Sequence, residues 1–177
     1  APGIFFDVAF FYNRYSNLIS FQQLSNPFEP LVYQVINLKA ARMQGLEFSY
    51  RQQWDKILAI NLFYTFLDAK DISAGRINDA LAYKVRHTFG AGATAWWGGF
   101  TMNVNCRYRS RIEEVFIYPG SEPEAVFVAN AKINYRLPVG NYSAYFAVNN
   151  LNNARYEELE RYRMAGRSFT FGVEIGF

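Results

Sequence analysis

The sequence predicts an all-β protein: about eight antiparallel strands of a transmembrane β-barrel. Three observations lead there. First, Phe169, Phe171, Val173, Ile175 and Phe177 take alternate places, with Thr170, Gly172, Glu174 and Gly176 between them. That strict period of two makes one strand face apolar and the other small or polar, over about the length a tilted strand needs to cross a bilayer. Second, hydrophobic residues make up 51% of the 177 residues, yet mean hydropathy is only -0.12. Apolar residues are therefore dispersed, and no run approaches the ~18 consecutive apolar residues of a membrane helix. Third, aromatic residues reach 19%, with 17 Phe and 13 Tyr; membrane barrels use aromatics in two interfacial girdles. A soluble sandwich alternates too, with its polar face as the outer surface. Periodicity alone does not separate the two, but the broad aromatic face favours lipid.

The elements follow in order. Ile4, Phe6, Val8, Phe10 and Tyr12 share one face of the first strand, which runs on through Leu18 to Phe21; Asp7, Ala9 and Asn13 take the other face. Ser25 to Pro30, with two prolines and an Asn, is a turn. The second strand spans about Val32 to Arg51, with Leu46, Phe48 and Tyr50 against Glu47, Ser49 and Arg51. After a short connection, Leu58 to Leu67 forms the third, although Phe63 and Leu67 interrupt its polar face. A long polar loop from Asp68 to about Ala82 precedes the fourth strand, about Tyr83 to Trp97. Gly98-Gly99 is a tight turn into the fifth, Phe100 to Arg109. Ser110 to Glu124 is a second long loop, and the sixth strand spans Ala125 to Leu137. Pro138 to Asn141 turns into the seventh, Tyr142 to Asn149; Asn150 to Arg167 is the third long loop before the last strand. Short and long connections alternate, as in outer-membrane barrels with short periplasmic turns and longer extracellular loops.

Composition narrows the function classes. A net charge of +3 comes from scattered residues without a block of like sign, so nucleic acid is not expected as a partner. Cys106 is the only cysteine and permits no internal disulfide. No signal peptide is read at Ala1 to Ile4.

Five stretches carry a resemblance. Ala147-Val148-Asn149-Asn150-Leu151-Asn152-Asn153-Ala154-Arg155-Tyr156 is followed by Gly166-Arg167-Ser168-Phe169. Upstream lie Asn37 to Ala41 with Gly45-Leu46-Glu47, then Leu62 to Ala69, then Leu81 to His87. In this order they resemble segments of TonB-dependent outer-membrane receptors, with Val85 and Ala165 where that family usually has proline. The resemblance implies a bacterial outer-membrane protein whose full barrel has about 22 strands around an N-terminal plug. Residues 1–177 would be a C-terminal part of that barrel, with no plug domain. It further implies TonB-dependent uptake of a large scarce nutrient, most often a ferric siderophore, with haem and cobalamin as the other options. Its expected partners are outer-membrane lipid, the barrel-assembly machinery, the TonB complex through the plug, and the ligand. No catalysis and no cofactor are expected. The alternative is a self-contained eight-stranded barrel with structural, adhesive or enzymatic loops, in which Ile4 to Tyr12 pairs with Phe169 to Phe177.

Arg107, Arg109 and Arg111 recur on one face and climb toward a long loop. They are candidates for drawing an anionic complex into the lumen; salt bridges to Glu47 or Glu174 are the simpler reading, and the preferred one. His87, the only histidine, has no residues around it at metal-ligand spacing and reads as structural. Cys106 falls on the lipid parity and reads as inert. Glu157-Glu158-Leu159-Glu160 reads as a solvated loop face rather than a cation site. Tyr12, Tyr50, Tyr108, Tyr135, Tyr142 and Trp97 are read as girdle residues, while Trp96 has the opposite parity and falls at the lumen mouth or turn. Phe169, Phe171, Val173, Ile175 and Phe177 also form a C-terminal assembly signal, as the family and such barrels generally use an aromatic-ended last strand.

Overall fold

Alternation in the sequence becomes one continuous antiparallel sheet in the computed structural model, which describes residues 3–23, 32–73 and 79–176. The strands are β1 (Gly3–Gln23), β2 (Tyr33–Trp54), β3 (Leu58–Asp71), β4 (His87–Trp97), β5 (Phe100–Arg109), β6 (Val126–Arg136), β7 (Tyr142–Asn149), β8 (Glu157–Leu159), β9 (Tyr162–Arg163) and β10 (Ser168–Ile175). Eight of them form the sheet in the order β1-β2-β3-β4-β5-β6-β7-β10, and β8 and β9 make a separate hairpin. The expected Ser25 to Pro30 turn, residues 74–78 of the expected Asp68 to Ala82 loop, and Phe177 lie outside the described residues.

Register puts like residues in rows. Val8, Phe48, Tyr64, Phe89, Tyr108 and Phe127 stand opposite one another across six strands. Toward the short-turn end, Phe100 pairs with Tyr135, their rings 4.5 Å apart, and Trp97 stacks on Phe100. These are two aromatic belts on the apolar face, eight residues apart on β5, or about 27 Å along the strand at ~3.4 Å per residue. The other face is polar: Asn61, Gly92, Asn105 and Asn130 form one row, and Asn130 Nδ2 donates to Asn105 Oδ1 at 2.8 Å. Phe63, which breaks the polar pattern in sequence, lies over Gly90, its cross-strand partner; Tyr145 covers Gly172 in the same way. The missing side chain of each glycine is replaced by its neighbour's ring, so the aromatic is packed rather than stranded on a wet face.

Two expected boundaries differ. The third strand continues to Asp71, because Asp68 to Asp71 still pair with Gln44 to Ala41. The fourth begins at His87, not Tyr83. Tyr83 has φ +59, in the left-handed region a regular strand does not use, and its N–H donates to the Glu114 carbonyl in another loop. The last long loop also contains the β8–β9 hairpin, which the short, charged segment does not reveal by periodicity.

The buried side chains do not lie in the middle of the sheet, where the residues of the central strands are mostly half-buried. Leu38, Ala41 and Leu81 form one small core, packed by Leu18, Ile36, Met43 and Ala69; Ile112, Val115, Val126 and Val128 are also buried. Leu81, Ile112 and Val115 belong to the long connections, so the packed interior includes the long-loop end.

Candidate functional site

The three candidate arginines leave β5 in sequence but not in a common row. Arg107 pairs with Glu158, and so does Arg109 through Nε at 3.5 Å. Arg109 is only 3% exposed. Its Nη1 donates to the carbonyls of Ser110 and Glu124, each at 3.1 Å, and its Nη2 to the Glu157 carbonyl. Arg111 lies past the strand end and is exposed. Salt bridging is therefore the role of Arg107 and Arg109, but the expected partners Glu47 and Glu174 are replaced by Glu158. Glu47 is in the row of Ala9 and Thr65 on β2, three strands away from β5, and Glu174 accepts from Ser143 near the other end of the sheet. The β8–β9 hairpin folds back over the end of β5 and brings Glu158 there.

The same hairpin corrects the reading of the acidic run as a solvated face. Glu157 Oε2 accepts from the Arg161 N–H at 2.7 Å, closing the turn where Arg161 has φ +60. Glu160 is 6% exposed. It accepts from Tyr83 Oη at 2.6 Å and from the Ile117 N–H at 3.1 Å, and Tyr83 Oη in turn accepts from the Phe116 N–H at 3.0 Å. One carboxylate thus joins three long connections. Burial pushes the Tyr83 phenol above its ordinary value near 10, and the bond to Glu160 adds to the shift. The protonated phenol is favoured by folding, so this contribution is present below pH ~10 and is lost as pH rises through the folded value. Raising the pH from 8 to 11 should therefore increase protease cleavage between 110 and 167 more in the wild type than in Tyr83→Phe, which starts weaker but has no phenol to ionise. Parallel pH curves for the two proteins would refute the lock.

Beside this lock, loop 110–125 and residues 154–166 enclose an open cleft of about 490 Å³, bordered by Glu122, Arg155, Tyr156, Glu157, Arg161 and Arg163. Arg161 lies over the Tyr118 ring at 3.8 Å, a cation–π contact that holds the guanidinium flat. Arg155, Arg161 and Arg163 are exposed, with Arg163 Nε 3.9 Å from Glu157 Oε1, so the cleft presents positive charge at its surface where Arg109 is covered. The hydrogen bond from the Gly120 N–H holds the Glu122 carboxyl below the usual carboxylate range. Sequence reasoning missed these arginines because Tyr118 and Arg161 are brought together only by the loops.

The asparagine-rich stretch is what shapes the cleft's far wall. Asn150 has φ +53, a conformation asparagine tolerates better than most residues. Its Nδ2 donates to the carbonyls of Ala154 at 2.9 Å and Ala165 at 3.1 Å, while Oδ1 accepts from the Ala154 N–H at 2.8 Å. Asn153 Oδ1 accepts from the Arg167 N–H at 3.0 Å, and Asn152 bridges to Phe127 and Ala129. The two stems of the last loop are tied together by side-chain amides.

The remaining expectations are placed as follows. His87 Nδ1 and Tyr64 Oη are 2.9 Å apart, and the His87 ring packs against Phe66. Cys106 stands between Ala91 and Ala129 in an apolar row. Phe169, Phe171, Val173 and Ile175 all lie exposed on the apolar face of β10.

An antiparallel wall with one lipid-sized aromatic face, one amide-rich face, and long connections gathered at one end defines an outer-membrane β-barrel protein. Residues 2–151 match the family described as "TonB dependent receptor-like, beta-barrel", and the chain belongs to it. Barrels of this family are bacterial outer-membrane proteins. Among solved structures, it is similar to the siderophore receptor PiuA from Acinetobacter baumannii (15% identity, TM-score 0.74, covering 96% of this chain and 26% of that one). It is also similar to the ferric-catecholate import receptor Fiu from E. coli K12 (18%, 0.75, 96% and 25%) and the copper transporter OprC (17%, 0.78, 98% and 28%). The chain thus spans about a quarter of the length of these proteins. No curated protein sequence matches it.

Proposed function

We propose that this chain is the C-terminal wall of a 22-stranded, plugged receptor that imports an anionic metal chelate, most simply a ferric siderophore, with energy from the TonB complex acting on the plug. The observation that carries the reading is the open sheet. Among the described residues β1 pairs only with β2, and β10 only with β7, so each keeps a free edge that a larger barrel would fill. The self-contained eight-stranded alternative needs β1 to pair with β10, and the described residues contain no such pairing. In this reading the long connections face outward, and Arg155, Arg161 and Arg163 present the first cationic surface an anionic complex would meet. Neighbours described as a siderophore receptor and as a ferric-catecholate import receptor support the ligand class. The exposed apolar face of β10 supports its use as an assembly signal.

The intact mass of the protein, extracted from its native membrane in detergent, tests the architecture. A mass several-fold above the 20.5 kDa of this chain is expected; a heat-modifiable species near that mass would overturn the larger-barrel reading. On the intact receptor, Arg155→Gln with Arg161→Gln should weaken binding of anionic ferric chelates about tenfold, with a smaller effect in high salt. An unchanged affinity would remove this cleft from the ligand's path.

A further inference from the structure

Glu158 sits between two guanidinium groups that are held with unequal firmness. Its Oε1 pairs with Arg107 Nη2, and its Oε2 lies 3.5 Å from Arg109 Nε. The Arg109 side chain is only 4% exposed, and the carbonyls of Ser110, Glu124 and Glu157 accept from its other nitrogens. Carbonyls of a folded backbone do not turn away, so Arg109 is a fixed part of the wall. Arg107 differs. Its side chain is 48% exposed and that of Glu158 31%, and among the described residues Glu158 is its one ion-pair partner.

Arg107 stands on the polar face, in the row of Phe63, Gly90 and Val128. That row is one step nearer the long connections than the row of Gly92, Asn105 and Asn130. The arm that carries Glu158 is anchored without it. Glu160 accepts from Tyr83 Oη and the Ile117 N–H, Arg161 lies over Tyr118, and one Asn150 amide holds the Ala154 and Ala165 carbonyls. The Glu158 carboxylate can therefore leave Arg107 while the backbone around it stays in place. An ion pair this exposed shifts an equilibrium by only about two- to fivefold. A ligand with several anionic oxygens offers a guanidinium a two-pronged hydrogen bond, which is enough to take the place of one half-exposed carboxylate.

We infer that Glu158 is an internal counter-anion. It holds Arg107 while no ligand is present and yields it to the oxygens of an anionic ligand that has entered by the cleft of Arg155, Arg161 and Arg163. Arg107 is then a second, inner contact on the ligand's path, and Arg109 keeps the wall in shape during the exchange. The same bond selects against other molecules. A neutral or cationic one that displaced Glu158 would leave Arg107 without a counter-charge, so only an anion gains by the exchange. The inference rests on the anion-importing reading of the cleft.

The test uses the intact receptor, purified in detergent, with metal-free citrate as the probe and its affinity read by calorimetry. Glu158→Gln should bind citrate about two- to fivefold more tightly than the wild type, and Arg107→Gln should bind it more weakly. Both changes break the same bridge, so a bridge that only braces the arm would move the two affinities in one direction. A charge acting from a distance would give opposite signs, but its effects would add. The double variant decides: in the Arg107→Gln background, Glu158→Gln should bring no gain. Arg107→Met serves the cycle if Arg107→Gln loses the heat-modifiable form. A gain that survives without Arg107, equal signs for the single variants, or no gain from Glu158→Gln would each overturn the proposal. Binding of ferric chelates to Arg155→Gln with Arg161→Gln separates this failure from that of the cleft. If the outer pair matters and the cycle fails, only the inner exchange is struck. If the cycle holds and the outer pair has no effect, the cleft reading fails, and the exchange loses its role in import.

Discussion

Replacing Gly45 by valine should abolish the folded, heat-modifiable form of the barrel. Gly45 pairs with Phe11 on one side and Leu67 on the other. A Cβ placed there meets the Phe66 backbone carbonyl, and it also meets Phe11 Cζ at 2.6 Å. A ring can turn aside, but the carbonyl belongs to the ladder between β2 and β3. Relief therefore requires β2 and β3 to separate near it, and overpacking against backbone costs about 3 kcal/mol, the upper end of the usual range. Gly90→Ala is the informative comparison. Its added methyl meets only the Phe63 ring, so the loss should be smaller, and Phe63→Ala in the same chain should recover part of it, a coupling that a double-mutant cycle reads directly. Urea midpoints in detergent micelles measure all five proteins: the wild type, Gly45→Val, Gly90→Ala, Phe63→Ala and the double variant. A Gly45→Val midpoint equal to the wild type would show that the strands are not held this close.

Asn150→Ala should release the last long loop while leaving the sheet folded. The change removes three hydrogen bonds and leaves the Ala154 and Ala165 carbonyls without their donor. Ala154 is half-buried and Ala165 exposed, so water partly replaces the donor and each stranded group costs about 1 kcal/mol, the low end of the usual range, while alanine at positive φ adds about 1 kcal/mol. A total of about 3–4 kcal/mol is enough to raise the open population of residues 150–167 by about two to three orders of magnitude. Hydrogen exchange should show that rise between Asn150 and Arg167, with β4, β5 and β6 unchanged. Asn150→Gly keeps the backbone conformation but not the amide, so it separates the two contributions: a nearly wild-type result would mean the conformation matters and the amide does not.

The asparagine motif illustrates how much of the site was legible. Its residues stand out in the sequence, and their place before the last strand is correct. Their work, joining residues 15 positions apart through one buried amide, follows only from the return of the chain. The arginines show the opposite case. Their shared parity on β5 is readable, but parity does not say which loop folds over them. Arg109 ends up covered by Glu124 and Glu157, while Arg155, Arg161 and Arg163, on no periodic element, face the cleft. Phe63 looked like an error in the polar face until its neighbour across the strand proved to be a glycine.

By itself the sequence determined the strands, their two faces and the alternation of short and long connections, because a period of two is a local property of the backbone and side chains point to opposite sides in turn. It also carried the family, through short stretches in a fixed order. Only the tertiary structure decided the pairing of Arg107 and Arg109 with Glu158 and the lock among Tyr83, Ile117 and Glu160. Each of these joins residues from 34 to 77 positions apart along the chain. Their energies depend on register and loop closure, and no window of neighbouring residues contains either.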